Sequence, residues 1–353
     1  MAEPWKRKEV IGDCTLYLGD CMDLLPSLGK VDAVVTDPPY GKVKGDFDQA
    51  WTNRANMLPD VELWVEAISA AIKFNGTLWW FAWPSLAGRI EDRIARRMNV
   101  LSHVVWQKPS PTGQKARKES LRAPMPFTER IIMAEHYGAD NVAIGESGYL
   151  AKCNELRGFI FEPLRAYLAS EWKRAGLTPK DLNEVTRSQM AGHYLTQSQW
   201  ALPTERNYRL MQERANQAAP SEYLRRDYED LRREYEDLRR YFDCRAGDQF
   251  SDVWSFAPNA EPTGHPTTKP LPLMEYLVRL SVRPDGVALD PFMGSGTTLV
   301  ACAKIGRKGV GIELDESYFD IAVKRVEEAY RQPDLFIQSP KADEPHQERL
   351  FDE

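Results

Sequence analysis

The sequence predicts an α/β protein whose alternation of strands and helices is broken by one long helical stretch. Three observations carry this. Short apolar runs alternate with helical patterns up to about Ala139 and again after Asp248. Between them the strand signal disappears, and helices with polar turns take over. Two apolar runs end in an acid followed at once by a Pro or Gly turn, at Asp37 and Asp290. In an α/β sheet, acids at the carboxyl ends of strands lie where ligands bind.

In chain order, residues 10–20 read as a strand pair ending at Gly19-Asp20. Asp20 is placed either at the ligand edge or as the cap of a helix from Cys21, and the two readings are compatible. Val31 to Val35 is an apolar run that must stop at Asp37-Pro38-Pro39-Tyr40, because two prolines exclude helix and remove two backbone donors. Gly41 to Asn56 reads as a loop. Val61 to Phe74 is helical, stopping at Asn75-Gly76, and Thr77 to Trp83 is a strand whose tryptophans belong in the core. Ser85 to Met98 is a basic helix; Leu101 to Gln107 and Arg130 to Ala134 are strands.

In the helical stretch, Pro163 opens a helix that runs to Ala175 and stops at Gly176. Thr178-Pro179-Lys180-Asp181 caps another, and a short helix around Ser188 to Tyr194 follows, a spacing that suits either a helix-turn-helix or a plain bundle. Leu224, Tyr228, Leu231, Tyr235, Leu238 and Phe242 form a seam with heptad spacing through a tandem repeat. The seam is short and implies packing by one stripe onto its own domain or a small dimer contact, hence a monomer or weak dimer. After Asp248 come a run at Phe250 to Phe256, a helix from Leu271 to Val282, a strand ending at Asp290, a helix from Thr297, and a strand ending at Glu313.

Composition bounds the function. The 353 residues carry a net charge of −6, which argues against a DNA-coating protein but not against DNA binding. Between Arg89 and Arg130 ten cations face four acids. The basic loop there, with Lys108, Lys115, Arg117, Lys118 and Arg122, reads as a clamp for a DNA backbone beside the sheet edge. The five cysteines form no CxxC pair, so they are expected to be reduced intracellular thiols with no metal site. No apolar run approaches membrane-spanning length, and the N-terminus lacks the apolar core of a signal peptide, so a cytoplasmic protein is expected.

Asp37-Pro38-Pro39-Tyr40 places an acid, a backbone carbonyl and an aromatic ring within four residues, a kit for gripping a flat base that carries an amine. Asp290-Pro291-Phe292-Met293-Gly294-Ser295-Gly296-Thr297-Thr298 is a strand, a glycine turn and a helix start, and Glu313 ends the next strand. That layout suits a ribose and lets backbone approach a ligand closely; without a full GxGxxG it disfavours a dinucleotide.

The first motif resembles the catalytic motif of the DNA amino-methyltransferases, and the second resembles their S-adenosylmethionine motif. Their order, catalytic motif first, resembles the β arrangement of that family. The resemblance covers about residues 10–137 and 246–330. It implies a permuted, seven-stranded Rossmann-like sheet, with 1–140 as the catalytic part, 141–247 as a helical target-recognition insertion and 248–330 as the cofactor part; 331–353 reads as a flexible acidic tail. It further implies that Phe292 packs on the cofactor adenine and Glu313 binds its ribose. Asp20 would lie near the adenine amine, and Lys269 near the methionine carboxylate. Family members with Asp first mostly modify adenine N6, those with Ser first cytosine N4. The implied substrate is therefore a flipped adenine in double-stranded DNA, with cytosine N4 as the alternative and a non-catalytic DNA-binding regulator as the other class. Gln332 to Phe336 and Gln347 to Phe351 both read Gln-x-x-Leu-Phe, which resembles the peptide that docks bacterial DNA enzymes on the sliding clamp.

Overall fold

The computed structural model describes residues 3–39, 57–108, 127–139, 147–156, 158–218, 222–258 and 268–331. The first part contains β1 (Arg7–Ile11), β2 (Cys14–Leu18), α1 (Cys21–Leu24), β3 (Val31–Thr36), α2 (Leu58–Ala71), β4 (Ile72–Ala82), α3 (Pro84–Ala95), β5 (Met98–Gln107) and β6 (Thr128–His136). The insertion holds α4 (Tyr149–Leu156), α5 (Glu162–Arg174), α6 (Pro179–Thr186), α7 (Ala191–Leu195), α8 (Glu205–Ala218) and α9 (Tyr228–Leu238). The last part contains β7 (Val253–Ser255), α10 (Leu271–Ser281), β8 (Val287–Asp290), α11 (Thr297–Lys304), β9 (Lys308–Glu313) and α12 (Glu316–Arg331).

Among the described residues nine strands form one sheet in the order β1-β2-β9-β8-β3-β4-β6-β5-β7. The expected seven strands are there as β2 to β5 with β9, β8 and β6; β1 adds an antiparallel strand at one edge and β7 a short parallel one at the other. From β2 through β4 neighbours are parallel, so those strands present their carboxyl ends at one edge. β6 is antiparallel to β4, with Arg130 opposite Ala82, and so begins at that same edge. β5 is antiparallel to β6 in turn, and Gln107 opposite Thr128 brings its end there too.

Strand alternation sends successive side chains to opposite faces. Ala33, Val35 and Trp79 pack with α10, α11 and α12 on one face; Val34, Leu78 and Trp80 pack with α2 and α3 on the other. The tryptophans expected in the core are there: Trp79 and Trp80 are fully buried, one in each layer. Four of the five cysteines are buried, and burial pushes the Cys21 thiol up to about 12, which suits packing and not nucleophilic attack. No helix among the described residues is long and apolar enough to cross a membrane.

Three boundaries differ from the sequence reading. α2 ends at Ala71, three residues early, because the β-branched Ile72 turns extended and pairs with Val31; the ladder resumes at Thr77 opposite Ala33. The heptad seam is helical only over α9. Leu224 has a φ of 51° and its carbonyl accepts from the Tyr208 hydroxyl, while Phe242 lies beyond the helix end. Leu231 is buried, and Tyr228, Tyr235 and Leu238 pack beside it on the insertion's own core, so the one-stripe packing onto its own domain holds. The short helix expected over Ser188 to Tyr194 is α7, only five residues long and little more than one turn. With Ala191 and Tyr194 in the core, it lacks the length to lie along a major groove.

The insertion leaves the sheet after β6, at the edge opposite Asp37, and among the described residues its ties to the sheet are there. Glu135 pairs with Arg240 at 2.8 Å, and Asn75 Nδ2 donates to the Asp237 carbonyl at 2.8 Å. Arg283 donates to the carbonyls of Glu236 and Arg239 at the end of α9. Asn75 lies two residues before Thr77, where β4 pairs with Ala33 of β3, Arg283 precedes β8, and Glu135 lies near the end of the reversed strand β6, opposite Thr77. A six-residue strand is about 20 Å long, so these anchors lie on the order of 20 Å from the carboxyl edge.

Candidate active site

The carboxyl edge gathers side chains from six strands. β3 ends in Thr36 and leads into Asp37 and the prolines, of which Pro38 is buried. β8 ends in Asp290, β9 in Glu313 and β5 next to Lys108; β6 begins with Thr128 and Glu129, and β2 leads to Asp20.

Asp37 meets Lys269 through its Oδ2. The same ammonium lies 3.2 Å from Glu129 Oε2, and Glu129 Oε1 accepts from Lys108 at 2.6 Å. Burial works against the Lys269 ammonium, but Asp37 and Glu129 outweigh it and hold its pKa above the ordinary lysine value. Burial likewise works against the Glu129 carboxylate, and the two lysines outweigh it and keep its pKa below the ordinary value. Lys269 also lies 5.1 Å from the centre of the Phe81 ring. Lys108, expected on a DNA backbone, is instead tied to this charge chain by its ion pair with Glu129.

Asp290 sits one strand over and plays a different part. Its Oδ1 accepts from Thr36 Oγ1 at 3.0 Å and from the Phe292 amide at 3.1 Å, and its Oδ2 accepts from Thr298 Oγ1. It is 4% exposed. It therefore braces the end of β3 against the turn and the start of α11. Ser295, Thr297 and Thr298 are buried as well. Arg325 from α12 donates to the Ser295 carbonyl, to Ser295 Oγ at 2.9 Å and to Thr297 Oγ1 at 3.0 Å, fixing the turn from behind. Of the residues expected on the cofactor, Phe292, Gly294 and Glu313 remain partly exposed at the edge.

Gly294 and Gly296 have φ of 51° and 75°, both left-handed. A Cβ on Gly296 would stand 2.9 Å from Ala322 Cβ, so this glycine is needed for α11 to pack on α12.

Glu313 Oε2 accepts from the Gly294 amide at 2.9 Å, and Oε1 from the Leu314 and Asp315 amides, each at 2.9 Å. A carboxylate offers about four acceptor sites. The group has capacity for one further hydroxyl without breaking these bonds, fewer than the two hydroxyls that a ribose presents. Burial raises its pKa while the three amides oppose the rise. Leu314 beside it is 61% exposed, and Phe292 meets Trp64 edge-on at 4.9 Å. An acceptor flanked by exposed apolar groups at a helix N-terminus fits a nucleoside with a short charged arm.

Asp20 is exposed and caps α1, its Oδ1 accepting from the Met22 amide at 2.8 Å. Thr268 Oγ1 lies 3.3 Å from Ser295 Oγ, so Thr268 and Lys269 join the glycine turn after β8 to Asp37. Tyr40, Lys115, Arg117, Lys118, Arg122 and the two tail motifs lie outside the described residues. Glu129, Arg325 and Thr36 are the site residues that sequence reasoning missed.

The family model described as DNA methylase, for N6 and N4 methyltransferases, matches residues 31–324. The type II methyltransferase M.ScaI of Streptomyces caespitosus is 44% identical over 85 residues, 22% of this chain and 28% of that protein. The type II methyltransferase M2.DpnII of Streptococcus pneumoniae is 41% identical over 85 residues, 23% of this chain and 32% of that protein. The chain thus matches about a third or less of these relatives' own length. Among solved structures, the cytosine-N4-specific PvuII DNA methyltransferase shares the fold at a TM-score of 0.50 and 12% identity, over 93% of this chain and 95% of its own. The M1.HpyAVI–SAM complex is similar at a TM-score of 0.49 and 18% identity, over 89% of this chain and 98% of its own. With the family model spanning both motifs and the sheet between them, the chain belongs to the DNA methylase family of N6 and N4 methyltransferases.

Proposed function

We propose that this chain transfers a methyl group from S-adenosylmethionine to the exocyclic N6 amine of an adenine flipped out of double-stranded DNA. The observation that carries the reading is the alignment, on one sheet edge, of an anionic Asp37 held by Lys269 with the Glu313–Gly294 turn two strands away. The choice of adenine rests on Asp as the first residue of the catalytic motif.

S-adenosylmethionine supplies an electrophilic methyl on a sulfonium. Phe292, Glu313 and the Gly294 turn would hold it at the ends of β8 and β9. The chain's other task is to prepare the amine, whose lone pair is delocalised into the base. The Asp37 carboxylate and the Pro38 carbonyl accept its two hydrogens, which localises the lone pair toward the methyl. Lys269 on one Asp37 oxygen keeps the carboxylate charged and fixes its direction. Tyr40 stacks on the extruded base. Alignment of amine and methyl supplies much of the rate.

Incubation of the full chain with DNA and labelled cofactor, then nucleoside digestion and mass spectrometry, tests this. N6-methyladenine is expected. Labelled N4-methylcytosine would overturn the base assignment, and an absence of label the methyl transfer itself.

Glu313→Gln should weaken cofactor binding about tenfold or more, because a charge-assisted hydrogen bond contributes about 1.5–3 kcal/mol. Calorimetry would show it, while turnover at saturating cofactor should change less. An unchanged affinity would exclude Glu313 as the ribose ligand.

The insertion's anchors at the far edge argue against its reading the DNA around a base held at Asp37. Replacing the exposed Lys180, Arg206 and Arg232 by Ala should leave the methylated sequence unchanged. Sequencing of modified bases decides this, and an altered or relaxed target would return recognition to the insertion.

A further inference from the structure

Glu129 is an unusual acid for its position. It is 7% exposed and stands between two ammonium groups, with Lys108 on Oε1 at 2.6 Å and Lys269 on Oε2 at 3.2 Å. It is fixed from below by β6, where it pairs with Trp106 of β5. The aromatic floor continues the arrangement: Lys108 lies 5.0 Å from the Trp106 ring centre and Lys269 lies 5.1 Å from that of Phe81. Charges thus alternate along one line: Asp37, Lys269, Glu129, Lys108.

Lys269 is buried and Lys108 half-buried, and Glu129 keeps both ammonium groups paired. Replacing a buried ion pair by well-packed apolar residues is often neutral or stabilising, so stability alone does not account for the chain of charges. The line instead ends on the acid that must accept hydrogen bonds from the amine. An ammonium whose charge acted on Asp37 undivided would hold the carboxylate tightly and weaken it as an acceptor for anything else. A second carboxylate on the same ammonium divides that charge.

We propose that Glu129 is a positioning residue for methyl transfer: it shares Lys269 with Asp37, so that Asp37 is held in place and anionic yet remains a strong acceptor for the target amine. Among the described residues, the titratable groups facing Asp37 from the packed elements are Lys269 ahead of α10, with Glu129 and Lys108 behind it, and Asp290 at the end of β8. Neutralising Glu129 leaves more of the Lys269 charge on Asp37. It also removes the anion that offsets Lys108. Both changes favour the carboxylate form of Asp37 and tighten the grip on it. Neutralising Lys108 does the reverse, because Glu129 then turns wholly to Lys269.

The inference rests on the methyl-transfer reading, and the experiment separates the two. The pH profile of single-turnover methylation of unmodified bacterial genomic DNA is measured with labelled cofactor, for the full-length wild type, Glu129→Gln and Lys108→Met. Glu129→Gln should lower the maximal rate about tenfold and move the acid limb down by at least about half a pH unit, the size expected for altered charge within a few ångströms. Lys108→Met should move the acid limb up. A purely structural defect lowers amplitude and leaves the limbs in place. Limbs that stay in place, shifts of one sign in both variants, or a Glu129→Gln rate within about twofold of wild type would overturn the proposal. Should Glu129→Gln fail to fold, the charge-balanced Glu129→Gln with Lys108→Met must still lose rate relative to Lys108→Met alone, and a rate equal to that single variant overturns it. Wild type without activity would instead defeat the methyl-transfer reading.

Discussion

Replacing Asp37 by alanine is expected to lower methyl-transfer turnover at least about a hundredfold, the size seen when one pre-organised electrostatic partner of a transition state is removed. Cofactor affinity should stay nearly unchanged, because Glu313, Gly294 and the buried Asp290 brace do not depend on Asp37 for their hydrogen bonds. The substitution also removes a carboxylate partner of Lys269, a side chain that is 7% exposed. Asp37→Asn is the informative companion. It keeps an acceptor oxygen and the volume of the side chain, and loses only the charge that meets Lys269. If charge on the acceptor matters, Asn should recover a part of the rate and no more. Single-turnover kinetics with labelled cofactor, alongside calorimetry of cofactor binding, measure both quantities. A near-normal single-turnover rate in Asp37→Ala would remove Asp37 from the reaction.

The parts of this site that were legible in the sequence are those fixed by local chemistry. Two prolines after Asp37 can only end a strand, and a glycine turn between an apolar run and a helix can only be a strand–helix junction; both stand in the structure as read. What was not legible depends on strand direction and on partners far along the chain. Glu129 is the second residue of β6, and a residue at the start of a strand lies at the carboxyl edge only if that strand runs antiparallel to its neighbours. Nothing in the local pattern around Arg130 to Ala134 states a direction. Asp37 and Asp290 look alike in sequence, each an acid at the end of an apolar run. Their different roles follow from Thr36 and Thr298, which close around Asp290 from two separate elements. The heptad seam failed at its ends for a related reason. Spacing alone carried Leu224 and Phe242, but the Leu224 carbonyl is captured by Tyr208 and Gln212, and the last carbonyls of α9 by Asn75 and Arg283. The basic loop was read from charge density, and its one described lysine, Lys108, turned out to be partnered within the site.

Asp290 gives the protein a stability that falls as pH rises. Burial pushes its carboxyl up to about 7, against the opposing hydrogen bonds from Thr298, the Phe292 amide and Thr36, and the Asp37 charge adds to the rise. In the unfolded chain the same group titrates near 3.9, about the ordinary value. Between those two values the native state binds a proton that the unfolded state has lost. Stability from this group is therefore fully present below about pH 4 and declines by about 1.4 kcal/mol per unit as pH rises to 7. The decline totals on the order of 4 kcal/mol and is flat above pH 7. Glu129 acts in the opposite sense: its lowered pKa gives stability that is present above the unfolded value near 4.3 and lost as pH falls. A single pH–stability curve mixes the two, but Asp290→Asn isolates the first. Its amide oxygen can accept from the Phe292 amide, its NH2 can donate to Thr298 Oγ1, and it carries no charge at any pH. Relative to wild type, Asp290→Asn should gain stability steadily from pH 5 to 7 and hold that gain at pH 8. Urea unfolding at pH 5, 6.5 and 8 measures the difference directly. If the difference between the two proteins does not change with pH, Asp290 carries its charge in the native state throughout, and the brace at the end of β8 is an ion rather than a neutral acid.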